Sequence, residues 1–101
     1  MMRHEIAADS LAELGNTHRL AIFRFLVKAG PQGASVGDIQ KALNIPASTL
    51  SHHLSRMVRV GLIRQEKAGR TVTCYPVYER LEGLIEYLRE ECCVGVEQTK
   101  V

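Results

Sequence analysis

The sequence predicts one compact, mainly helical domain interrupted once by a β-hairpin. Three observations carry that prediction. Apolar residues recur at helical spacing in stretches separated by Gly, Pro and Asn. A short hairpin pattern surrounds residues 67–70. The length, 101 residues, is enough for one domain and too short for two. With 46% apolar residues the chain has material for a core. A domain of this size still hides only a modest share of its surface, so pairing with a second copy is expected to help.

Taken in order, Ile6, Leu11 and Leu14 mark a first helix that ends near Gly15. Asn16 or Thr17 caps a second, whose Leu20, Ile22, Phe23, Phe25, Leu26 and Val27 make it apolar almost all round, as a central core helix is. Gly30-Pro31-Gln32-Gly33 stops it. Ser35 with Asp38 three residues later resembles a capping box and opens a short helix through Ile39, Ala42 and Leu43. Asn44-Ile45-Pro46 turns, because proline disfavours helix at the residue before it. A fourth helix runs from about Ala47 to Val60 and stops at Gly61. Leu62–Glu66 and Thr71–Tyr75 read as two strands around Lys67-Ala68-Gly69-Arg70, and Pro76 ends the second. Tyr78, Leu81, Leu84, Ile85, Leu88 and Cys92 then form the stripe of a last helix. Four helices, a hairpin and a fifth helix are the order of a winged helix-turn-helix, with the helix-turn-helix at 35–60 and the wing at 62–76 of a single domain 1–101.

Charge is distributed unevenly. Residues 1–40 balance four bases with four acids. Residues 41–76 set Lys41, Arg56, Arg59, Arg64, Lys67 and Arg70 against Glu66 alone, and residues 77–101 hold six acids and three bases. A basic middle between neutral and acidic ends suits contact with a polyanion. No segment is long and apolar enough to span a membrane, and no basic-then-apolar leader opens the chain. Cytoplasmic residence is therefore expected, and with it three free thiols in place of structural disulfides.

On a helical wheel Ala47, Leu50, Leu54, Met57 and Val58 gather on one face of the fourth helix and are expected to bury. The opposite face carries Ser48, Thr49, His52, Ser55, Arg56 and Arg59, with Ser51 and His53 on its margins. Hydroxyls and an imidazole allow close approach to base edges in a major groove, arginines anchor phosphates, and Lys67 and Arg70 at the hairpin tip reach the backbone or minor groove alongside. Ser48, Thr49, Ser51, His52, Arg56, Lys67 and Arg70 are the candidate contacts to double-stranded DNA. Taken one at a time, each is better read as part of an ordinary solvated face. His52 and His53 diverge by about 100° and make poor co-ligands for one metal ion.

Leu14-Gly15-Asn16-Thr17-His18-Arg19-Leu20-Ala21-Ile22-Phe23, Ile45-Pro46-Ala47-Ser48-Thr49-Leu50-Ser51-His52-His53-Leu54 and Gly61-Leu62-Ile63 strongly resemble the arsenic-repressor (ArsR) family over nearly the whole chain. The resemblance implies a homodimeric repressor that binds a pseudo-palindromic operator and releases it to an inducer. It implies DNA contacts at the Ser-x-x-Ser-His portion, here Ser48, Ser51 and His52. It also implies a dimer built by the first and last helices, here 1–15 and 77–93, which agrees with the stripe on the last helix.

Family inducer sites occupy different elements. Ser35-Val36-Gly37-Asp38-Ile39 lacks the Cys-x-Cys of one such site, and residues 77–93 lack the Asp and His of another. Cys92-Cys93 resembles the vicinal pair of an arsenite-responsive branch, so arsenite or antimonite is the implied inducer. Such an ion prefers three sulfurs. The tail after Cys93 supplies no third, leaving Cys74 or a thiol of a second subunit to complete the set. Cys74 reads as a small core residue on a strand, while Glu90 and Glu91 should raise the pKa of a neighbouring thiol. The alternatives are a thiol redox switch, a regulator that makes no use of its cysteines, and a winged-helix protein-interaction module without DNA binding. Paired catalytic carboxylates, a phosphate-cradling loop and a nucleophile with a base are all missing, so an enzyme is not expected.

Overall fold

The computed structural model describes residues 2–96, which form eight elements in the order α1 (His4–Leu14), α2 (Thr17–Ala29), β1 (Ala34–Ser35), α3 (Val36–Leu43), α4 (Ala47–Arg59), β2 (Ile63–Ala68), β3 (Thr71–Pro76) and α5 (Tyr78–Arg89). Local chemistry accounts for most of the boundaries. The Asn16 side chain accepts from the Arg19 N–H and caps α2. Ser35 and Asp38 exchange bonds in a complete capping box at the start of α3. Asn44 ends α3 in the left-handed region, and Gly61 (φ 79°) turns the chain out of α4.

β1 was not expected from the sequence. Two residues carry no period, yet Ala34 pairs with Cys74 and Ser35 with Thr73, making an antiparallel sheet of order β1-β3-β2. Gly33 makes this possible. It sits at φ 69°, and a Cβ there would lie 2.6 Å from the Cys74 carbonyl oxygen. The hairpin is also tighter than the sequence suggests, because Lys67 pairs with Val72 and Ala68 with Thr71, leaving only Gly69 and Arg70 as its tip.

The core joins Ile22, Phe23 and Leu26 of α2 to Ile39, Ile45, Leu50, Leu54, Met57, Leu62, Ile63, Cys74 and Leu84. Three expectations need correction. Leu20 is exposed, so α2 buries one face and is not apolar all round in its packing. On α4, Ala47 and Val58 are exposed, whereas Leu50, Leu54 and Met57 are buried as expected. The last helix ends at Arg89, not at Cys92. Glu90 is extended (ψ 133°) and Glu91 and Cys93 take positive φ. Adjacent acids oppose the negative end of a helix dipole, and the break puts both Cys92 and Cys93 in the open. Among the described residues, no helix is long and apolar enough to cross a membrane.

Candidate nucleic-acid interface

α3, the Asn44–Pro46 turn and α4 form a helix-turn-helix whose second helix is seated by Leu50, Leu54 and Met57. That seating leaves Ser48, Ser51, His52, Ser55 and Arg59 exposed and Thr49 half-buried along the outer face. The structure thus brings Ser48, Ser51 and His52 together in the open. At the wing, Lys67 and Arg70 are exposed and have no ion-pair partner among the described residues. Arg64 differs: it pairs with Glu66 and stacks its guanidinium 4.2 Å from the Tyr75 ring centre.

Two side chains of α4 are engaged inward. His53, which the wheel puts at the margin of the outer face, is only 8% exposed. Its Nδ1 accepts from Arg19 Nη1 at 3.2 Å, since a guanidinium can only donate, and the His18 ring meets it edge-on at 5.4 Å. Burial first, and then the positive charge of Arg19, hold His53 below the ordinary histidine pKa and keep it neutral. Arg56, a candidate DNA contact, grips Glu13 with two nitrogens, Nε to Oε1 at 2.8 Å and Nη2 to Oε2 at 3.2 Å. The Arg56 hydrogen bonds hold the Glu13 carboxyl below its usual pKa, and Glu13 in turn raises that of Arg56. Sequence reasoning missed Glu13 and Arg19 altogether. A pairing across 43 residues leaves no local signal.

The cysteines separate into two environments. Cys74 is fully buried, takes a bond from Gln65 Nε2, and is pushed up in pKa by burial, so it is not placed to join the exposed pair. Cys92 and Cys93 hold their sulfurs 2.9 Å apart. The Cys92 pKa is raised, as anticipated, but the leading cause is its bond to Cys93 and not a glutamate.

A helix-turn-helix, an exposed polar face on its second helix and a basic two-stranded tip define a winged helix-turn-helix DNA-binding regulator. The comparisons agree. A family model for a helix-turn-helix domain matches residues 14–66. An uncharacterized HTH-type transcriptional regulator of Methanocaldococcus jannaschii is 30% identical over 90 residues, covering 89% of this chain and 99% of that protein. HlyU from Vibrio cholerae shares 29% identity and a TM-score of 0.70, over 92% of this chain and 99% of its own. The homodimeric winged helix-turn-helix DNA-binding domain of a possible ArsR-family regulator from Mycobacterium bovis shares 25% identity and a TM-score of 0.67, over 86% and 81% of the two chains. The chain belongs to the helix-turn-helix domain family, and within it to the ArsR-type winged helix-turn-helix transcriptional regulators.

Proposed function

We propose that the protein is a cytoplasmic, homodimeric repressor that sets two copies of α4 into successive major grooves of a pseudo-palindromic operator. The observation that carries this reading is the open row Ser48, Ser51 and His52 on a helix whose inner face is buried by Leu50, His53, Leu54 and Met57. Thr49 lies beside that row, and Lys67 and Arg70 supply phosphate contacts from the wing. α4 also lacks a side-chain N-cap, which leaves first-turn N–H groups for a phosphate oxygen. Exposed Leu11 on α1 and exposed Tyr78, Ile85 and Leu88 on α5 support a dimer built by those two helices.

The proposed inducer is a soft trivalent metalloid, arsenite or antimonite, captured at Cys92 and Cys93. Each thiol would give up its proton as water leaves the metalloid, forming two sulfur bonds. The third position is then filled by a thiol of the second subunit or keeps its oxygen. The 2.9 Å approach of the two sulfurs supports capture, and equally supports a second reading in which peroxide oxidises the pair to a disulfide and is itself reduced to water. One experiment separates these readings. The protein is bound to the promoter upstream of its own gene and challenged with arsenite, zinc or peroxide, with and without Cys92→Ser and Cys93→Ser. Release by arsenite alone, lost in the double variant, supports the metalloid reading. Release by peroxide alone selects the redox switch, and an unchanged response of the double variant removes the cysteines from the mechanism.

A further inference from the structure

We infer that Glu13 is the hub of a polar clamp that fixes the seating of α4 on α1, and that Arg56 is a positioning residue serving this clamp and not a phosphate contact. The inference rests on the DNA-reading function. Three observations converge on it. The Glu13 side chain is only 12% exposed and receives Arg56 through a two-point fork, while Arg19 Nε lies 3.2 Å from its Oε1 and donates to its backbone oxygen at 2.6 Å. The far end of Arg19 reaches His53 on α4, so one arginine touches both the hub and the helix it positions. The C-terminal end of α4 is tied separately, by Arg80 Nη1 donating to the Val60 carbonyl and to Ser10 Oγ of α1. The reading helix is therefore anchored to α1 through Arg56 in its last turn and through Arg80 just beyond its end. Between those anchor residues α1 presents Leu11 outward, on the face proposed for the second subunit.

Physical chemistry favours the clamp over the phosphate role for Arg56. A bidentate carboxylate already satisfies its Nε–Nη2 fork, and presenting that same fork to a phosphate would mean surrendering two charge-assisted bonds. It would also leave Glu13, only 12% exposed, with Arg19 as its one remaining ion-pair partner among the described residues. Charge alone does not satisfy this geometry: a lysine at 56 keeps the cation and loses the fork.

The test is operator affinity over a salt series for the parent, Glu13→Gln, Arg56→Gln, Arg56→Lys and the Glu13→Gln/Arg56→Gln pair. The clamp predicts that each single variant loses about tenfold in affinity, that the pair loses no more than the worse single, and that every salt slope equals the parent's. Arg56→Lys is expected to lose about as much as Arg56→Gln. A salt slope reduced by about one in Arg56→Gln, with Arg56→Lys at parental affinity, would mean a phosphate contact and overturn the inference. Additive losses, or a Glu13→Gln variant that binds as the parent does, also overturn it. Should Glu13→Gln fail to fold, Arg56→Lys decides alone, weak binding at parental slope supporting the clamp and parental affinity refuting it. Absence of salt-dependent binding by the parent overturns the DNA-reading function and the inference with it, an outcome distinct from a changed slope.

Discussion

α4 and α5 have nearly the same length, 13 and 12 residues, and opposite relations to the core. α4 buries Leu50, His53, Leu54 and Met57 and turns a polar face outward. α5 buries Leu84 alone and leaves Ile85 42% and Leu88 65% exposed. The first helix completes its packing within the chain and frees its outer side for a ligand. The second carries an apolar stripe that its own chain does not cover. The proposed roles fit this difference: a helix that is to read DNA must hold its position before the DNA arrives, whereas one that is to join two copies is finished only by the second copy.

The strongest way to break this contrast is to hollow out the seat of α4. Leu50→Ala should cost about 2–5 kcal/mol in urea unfolding, the usual range for a buried leucine. A cost below 1 kcal/mol would show that α4 is not held as described. Changing the stripe of α5 should act elsewhere. Ile85→Glu with Leu88→Glu is expected to preserve the circular dichroism spectrum and to weaken self-association at least about tenfold by sedimentation. Unaltered association would place the dimer face on another surface.

The smallest expected effect concerns pH and the inner side of α4. The folded pKa of His53 lies below the ordinary value of 6.5, so the unfolded chain takes up a proton that the folded chain refuses. Stability should therefore fall as pH drops below about 6.5 and level off once His53 is protonated in the fold. The charged and titratable groups that oppose its protonation are Arg19, His18, His52 and Arg56. His53→Asn should flatten that window, and an unchanged pH profile would place the titration elsewhere. Glu13 acts lower. Its stabilisation is full above the ordinary carboxylate pKa and is lost as pH falls through its depressed value.

Much of this architecture was legible because it depends on neighbours in sequence. The Ser35–Asp38 box, the Asn44–Pro46 turn, Gly61 and the spacing of Leu50, Leu54 and Met57 are local signals, and each leads to the observed element. The strand at Ala34–Ser35 was not legible, since only Gly33 and a partner forty residues later define it. The end of α5 was misread because the stripe through Cys92 continues in register while the Glu90-Glu91 pair works against the helix. At the site, the wheel sets Ser48 and His52 on the outer face and Ser51 at its margin, and all three are exposed; their grouping as a trio comes from the family resemblance. The wheel could not show that His53 turns inward or that Arg56 is held by Glu13, because both depend on residues from the α1–α2 corner.

Whether the outer face of α4 reads DNA is decided by the operator affinity of a Ser51→Ala/His52→Ala variant measured over a salt series. The variant is expected to keep the parental fold and dimer, to lose about 10-fold or more in affinity for the operator, and to bind unrelated DNA much as the parent does. Operator affinity equal to the parent's, in a variant that is folded and dimeric, would contradict a DNA-reading role for that face.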